Sequence, residues 1–126
     1  MRLLIDTHVL IWGINQPDRV PPSVAAAMAS PNNSTFISAV CLWEIAVKTR
    51  LGKLHAPDNL PDVVGRNPDI RILPITAEHA WRVRSLSALH RDPFDQMLVA
   101  QALVEDMTIV THDPMIARYG VPIIAV

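Results

Sequence analysis

Four acidic residues sit where the surrounding pattern calls for apolar ones. Asp6 ends the run Leu3-Leu4-Ile5, and Asp113 follows Thr108-Ile109-Val110-Thr111 in the same way. Glu44 lies inside Val40-Cys41-Leu42-Trp43-Glu44-Ile45-Ala46-Val47, with Val40, Val47 and Leu51 on its own helical stripe. Asp95 precedes Leu98, Val99, Ala102 and Leu103 by three, four, seven and eight positions, so it heads an inward stripe. Carboxylates that converge in a medium of low dielectric repel one another strongly. A hard divalent cation with oxygen ligands relieves that repulsion. Mg²⁺, or Mn²⁺ in its place, suits an all-carboxylate site that keeps several waters.

Each acid also has a simpler role open to it. Asp6 can cap the helix that follows its strand, and Asp113 can cap a helix beginning at Pro114. Glu44 can pair with Lys48 one turn on, an exchange worth only about 0.3–0.5 kcal/mol on a solvated face. Asp92 precedes Pro93 as an N-cap, which makes Asp95 the third helical residue, where free N–H groups favour negative charge. Four dull roles are possible one by one; a shared cation gives all four acids a single role.

The elements needed to bring them together are legible. Residues 3–5, 35–37, 70–73, 108–110 and 122–124 read as short β-branched strands. Helical patterns lie near 7–13, 22–29, 39–51, 76–88, 93–105 and 113–118. Gly52 can end the third of these and Thr76 can cap the fourth. Residues 56–69, rich in Pro, Asn and Gly, read as one short helix between loops and as a clamp or partner contact. Strand–helix alternation predicts an α/β fold, a three-layer α/β/α sandwich around a central parallel sheet of four to five strands. At the carboxyl ends of such strands lies the ligand crevice of an open sheet.

With 126 residues the chain is expected to form one domain over 1–126. Half of the residues are apolar and mean hydropathy is +0.24, which describes a buried core and not a disordered chain. Formal net charge is −1, so nucleic acid would have to be met by a local cluster of cations. Lys48, Arg50, Lys53, Arg82, Arg84 and Arg91 are candidates for phosphate contacts, although a solvated helix face explains each of them equally well. Cys41 is the single cysteine, which excludes an internal disulfide and zinc-type Cys clusters. His8, His55, His79, His90 and His112 form no ligand pattern and read as surface or packing residues. Trp12, Trp43 and Trp81 read as core or interface anchors. No apolar run nears the roughly 18 residues of a membrane helix, and an acid at position 6 interrupts any signal peptide, so a soluble cytoplasmic protein is expected.

Four segments together carry a family resemblance. Leu3-Leu4-Ile5-Asp6-Thr7-His8, Ser38-Ala39-Val40-Cys41-Leu42-Trp43-Glu44-Ile45, the stretch from Arg91 to Ala102 with its Asp92-Pro93-Phe94-Asp95, and Thr111-His112-Asp113 resemble the motifs of PIN domains, most of all the VapC-type toxins of bacterial toxin–antitoxin pairs. The resemblance runs in order from the first strand to Val126. It implies Mg²⁺-dependent cleavage of RNA, a cognate VapB-like antitoxin that blocks the acidic cleft, and a homodimer. It implies further that Asp6, Glu44 and Asp95 are the family's three principal acids and Asp113 its more variable fourth, with Thr7 and Thr111 as hydroxyls beside the metal. Asp92 and Asp95 compete for one of these places; the stripe favours Asp95. Two rivals remain. A phospho-aspartate enzyme would want a second acid just after Asp6 and a lysine beyond Lys53, and neither is present. A non-catalytic PIN-fold binding module would have no use for four clustered like charges.

Overall fold

A computed structural model describes residues 1–89 and 92–126. Five parallel strands form one sheet in the order β3-β2-β1-β4-β5, with β1 at Arg2–Ile5, β2 at Ser34–Ser38, β3 at Ile70–Leu73, β4 at Thr108–Thr111 and β5 at Ile123–Ala125. Register is tight in the middle: Ile5 lies between Ile37 on β2 and Val110 on β4. Leu3, Leu4, Ile5, Ile109 and Val110 are buried, as expected where helices cover both faces.

Helices join the strands: α1 (Thr7–Asn15), α2 (Pro22–Ala29), α3 (Ala39–Arg50), α4 (Leu60–Arg66), α5 (Ala77–Arg82), α6 (Pro93–Glu105) and α7 (Pro114–Ala117). From β1 the chain steps outward to β2 and β3, then returns past β1 to β4. Right-handed crossovers put the helices of these two movements on opposite faces of the sheet. The direction of winding reverses between β1 and β4, so the crevice of the sheet opens at the carboxyl ends of those two strands. Asp6 follows β1 directly, and Asp113 follows β4 after one residue, His112.

Punctuation behaves as its chemistry requires. Gly52 takes φ +72° just beyond α3, and Asp106 takes φ 56° to close α6, a left-handed turn that Asp tolerates better than most residues. The short helix expected within 56–69 is α4. The helix expected over 76–88 is shorter: α5 ends at Arg82 and runs on as a 3₁₀ turn over Val83–Ser85. A 3₁₀ turn at Pro17–Arg19, which the sequence pattern did not suggest, precedes α2. Among the described residues no helix is long and apolar enough to cross a membrane.

Candidate metal centre

Asp6 is only 4% exposed. Its Oδ1 accepts the Val9 N–H at 2.9 Å, capping α1, and its Oδ2 accepts a short hydrogen bond from the Thr111 hydroxyl. Burial raises the Asp6 carboxyl above the ordinary carboxylate range, against these hydrogen bonds, which lower it. Thr111 also accepts the Asp113 N–H at 3.0 Å, which ties the acid beyond β4 to the one beyond β1. Asp113 caps α7 through the Met115 N–H at 2.9 Å.

Glu44 is 3% exposed, on a helix whose neighbouring turns are apolar. Thr7, next to Asp6, donates to its Oε1 at 2.6 Å, and Lys48 reaches its Oε2 at 2.5 Å. That hydrogen bond to Glu44 raises the Lys48 ammonium above its usual value, and the charges of Asp92 and Asp95 add to it. Lys48 thus pairs with Glu44 and feels the charges of Asp92 and Asp95. Cys41 links the other pair: burial first, then the charges of Glu44 and Asp6, push its thiol up to about 12, so it is an inert packing group.

Asp95 is half-buried at the first turn of α6, behind the cap that Asp92 makes with the N–H groups of Phe94 at 2.8 Å and Asp95 at 3.3 Å. Trp43, beside Glu44, meets Phe94, beside Asp95, edge to face at 4.7 Å. Hydrogen bonds join Asp6 to Asp113 through Thr111 and Glu44 to Thr7, the neighbour of Asp6, and the Trp43–Phe94 contact sets the first turn of α6, with Asp95, beside α3. The four acids share one end of the sheet.

The capping roles and the Lys48 pair are therefore present alongside this grouping. Among the described residues no three His, Cys, Asp or Glu groups stand close enough to form a ready-made cage. An all-oxygen donor set, with two carboxylates almost out of contact with water and one disfavoured as an anion, nonetheless fits a hard divalent cation. Lys48 supplies part of the positive charge such an ion would bring. Of the candidate phosphate-binding cations, Arg84 lies over the Trp81 ring at 4.8 Å, and Arg91, like His90, lies outside the described residues. Trp12 is a core residue, whereas Trp43 and Trp81 are 53% and 70% exposed. His79, read as a packing residue, is fully buried in a hydrogen-bonded network with Gln101 and Glu105 that periodicity does not reveal.

Several solved structures share this fold. A chain of the VapBC2 complex from Rickettsia felis, bound to a fragment of promoter DNA, aligns over 99% of this chain and 98% of its own, with TM-score 0.76 and 18% identity. The DNA-bound VapBC of Salmonella typhimurium gives TM-score 0.75 and 21% identity over 99% and 98% of the two chains. The PIN domain endonuclease Utp24 gives 0.59 and 16% over 99% and 84%. No curated protein matches the sequence. Matching sequence to family is decisive where these identities speak for the fold alone: residues 3–122 match the PIN domain, nearly the whole chain, and the protein belongs to the PIN-domain family.

Proposed function

We propose that this protein is a metal-dependent endoribonuclease acting as the toxin of a toxin–antitoxin pair. PIN domains are generally nucleases. The observation that carries the reading is the burial of Asp6 and Glu44, two carboxylates near the switch point of the sheet, with Thr7, the neighbour of Asp6, donating to Glu44. Asp6 and Asp95 are the direct ligands of Mg²⁺ or Mn²⁺ in this reading, and Glu44 and Asp113 act through water or toward a second ion. A divalent ion held there would supply Lewis-acid chemistry, activating a water and offsetting charge on the scissile phosphate. Thr111 and the Val9 N–H orient Asp6, and Thr7 orients Glu44, which in this reading would align or deprotonate the attacking water.

A cognate VapB-like antitoxin is the proposed protein partner, supported by the likeness of the fold to chains of VapBC complexes. An apolar cleft of about 510 Å³ between α1, α2 and α4, lined by Ile14, Met28, Val63 and Ile70, offers a surface for it. Exposed Trp81, Ile72 and Ile75 favour self-association as a homodimer.

Cleavage of RNA with and without Mg²⁺, by the wild type and by Asp6→Asn and Asp95→Asn, tests the assignment. Loss of at least about 100-fold in both variants is expected; undiminished cleavage in both overturns it. The pairing of Glu44 with Lys48 is what a binding module without catalysis would keep. Calorimetry separates the two, because such a module takes up no Mn²⁺ or Mg²⁺ while it binds its partner.

A further inference from the structure

Glu44 and Asp95 stand on different helices, and the contact that sets α3 against α6 lies a turn and a half away from both. Gln101, with no exposed surface, accepts from the Ser38 hydroxyl at 2.5 Å through Oε1. Its Nε2 faces the Pro74 carbonyl and His79 Nδ1, each at 3.3 Å. A carbonyl only accepts, so the edge of Gln101 that faces Pro74 is the NH₂ and its oxygen falls on Ser38. Ser38 Oγ accepts the Val40 N–H at 3.0 Å as the N-cap of α3, which leaves its one hydrogen for Gln101. His79 Nδ1 also takes the Thr76 N–H at 3.1 Å, so its hydrogen is on Nε2 and is donated to Glu105 at 2.9 Å. The Ser38 hydroxyl and the His79 Nε2–H each have one acceptor in this buried chain, and the Gln101 NH₂ has two.

Contacts between the two helices run in opposite order. Ser38 meets Gln101, Trp43 meets Phe94, and Lys48 lies in the field of Asp92 and Asp95. α3 and α6 are therefore antiparallel, and this register brings Glu44 level with Asp95. Ser38 precedes Glu44 by six residues and Gln101 follows Asp95 by six, so the hook lies about 9 Å from each acid along its helix. Ring contacts tolerate sliding; a hydrogen bond of fixed length and angle does not. A slip of one residue moves a side chain by about 1.5 Å along the helix and 100° around it, beyond the roughly 0.5 Å that a coordinating site allows. We propose that Gln101 is a positioning residue for the carboxylate site: by holding the N-cap of α3 it sets the register that places Glu44 opposite Asp95. The proposal rests on the metal-site reading given above for its ligand, though not for its geometry.

Gln101→Met keeps the volume and removes the hook; Ser38→Ala removes it from the other side. Two measurements apply to these and to the double variant: Mn²⁺ titration by calorimetry, and the positions of the Glu44 and Asp95 amide resonances in metal-free protein. The expected result is a folded Gln101→Met whose Mn²⁺ affinity falls 10- to 100-fold. Both amides are expected to shift, and the double variant to bind Mn²⁺ no more weakly than the weaker single one. Lower stability with wild-type Mn²⁺ affinity and unmoved amides would make Gln101 a packing residue and overturn the proposal, as would effects that simply add. If Gln101→Met does not fold, Ser38→Ala, which keeps Gln101, is read by the same criteria. A wild type that takes up no Mn²⁺ removes the metal reading instead, and the amide shifts alone then decide the claim about register.

Discussion

Asp6 holds two positions at once, a helix cap and a buried anion, and the second has a thermodynamic consequence. Because burial raises its pKa in the folded chain, the folded state binds the proton more tightly than the unfolded one. Stability from this group is complete below the unfolded carboxylate pKa of about 4 and is lost as pH rises through the raised folded value. Asp6→Asn is therefore expected to raise the Tm of the metal-free protein at pH 7. The gain shrinks toward pH 4. Thermal melts of both proteins across that range check the sign, and a variant less stable than wild type at pH 7 and equal to it at pH 4 refutes it. The helix cap made by Asp6 was legible from its place after an apolar strand. That Thr111 would supply one hydrogen bond was not, because the two residues are far apart in the chain and meet only where β1 and β4 pair.

At the scale of elements, the helix starts were the most readable feature, since capping is local chemistry. Asp92 before Pro93, Asp113 before Pro114 and Thr76 before α5 each cap as their types require. Asp92→Ala removes the acceptor for two N–H groups of α6 and is expected to cost about 1 kcal/mol. Asp95→Asn leaves that cap in place and costs less. Urea unfolding separates them: Cm falls for Asp92→Ala at constant m, and an equal or larger fall for Asp95→Asn contradicts the division of labour between the two acids. The end of α5 was not readable. Residues 83–88 keep a helical pattern, yet the chain tightens into a 3₁₀ turn at Val83–Ser85 as it leaves α5 on its way to α6. Nor did His79 announce itself, because the partners that bury it, Gln101 and Glu105, come from α6.

On the scale of the whole molecule, the reversal of winding between β1 and β4 brings Asp6 and Asp113 to neighbouring strand ends of a nearly neutral protein. A ligand that binds only the folded state shifts its stability by mass action. Mn²⁺ at 100 times its Kd is expected to stabilise the protein by about 2.7 kcal/mol, with the gain reversed by a chelator and absent in Asp6→Asn. A Tm indifferent to Mn²⁺ would show that the acids do not share an ion.

Periodicity, caps and the strand–helix rhythm dictated the layered parallel sheet and marked Asp6, Glu44, Asp95 and Asp113, because these depend on neighbours within a turn or two. Tertiary packing alone brings Asp6 and Asp113 to the same Thr111 where β1 and β4 pair, and Thr7 to Glu44. Lys48 pairs with Glu44 one turn on, as helical spacing foretold, but the Ser38–Gln101 and Gln101–His79 hydrogen bonds belong to that second kind of fact. They are bonds between residues tens of positions apart, and no local pattern encodes them.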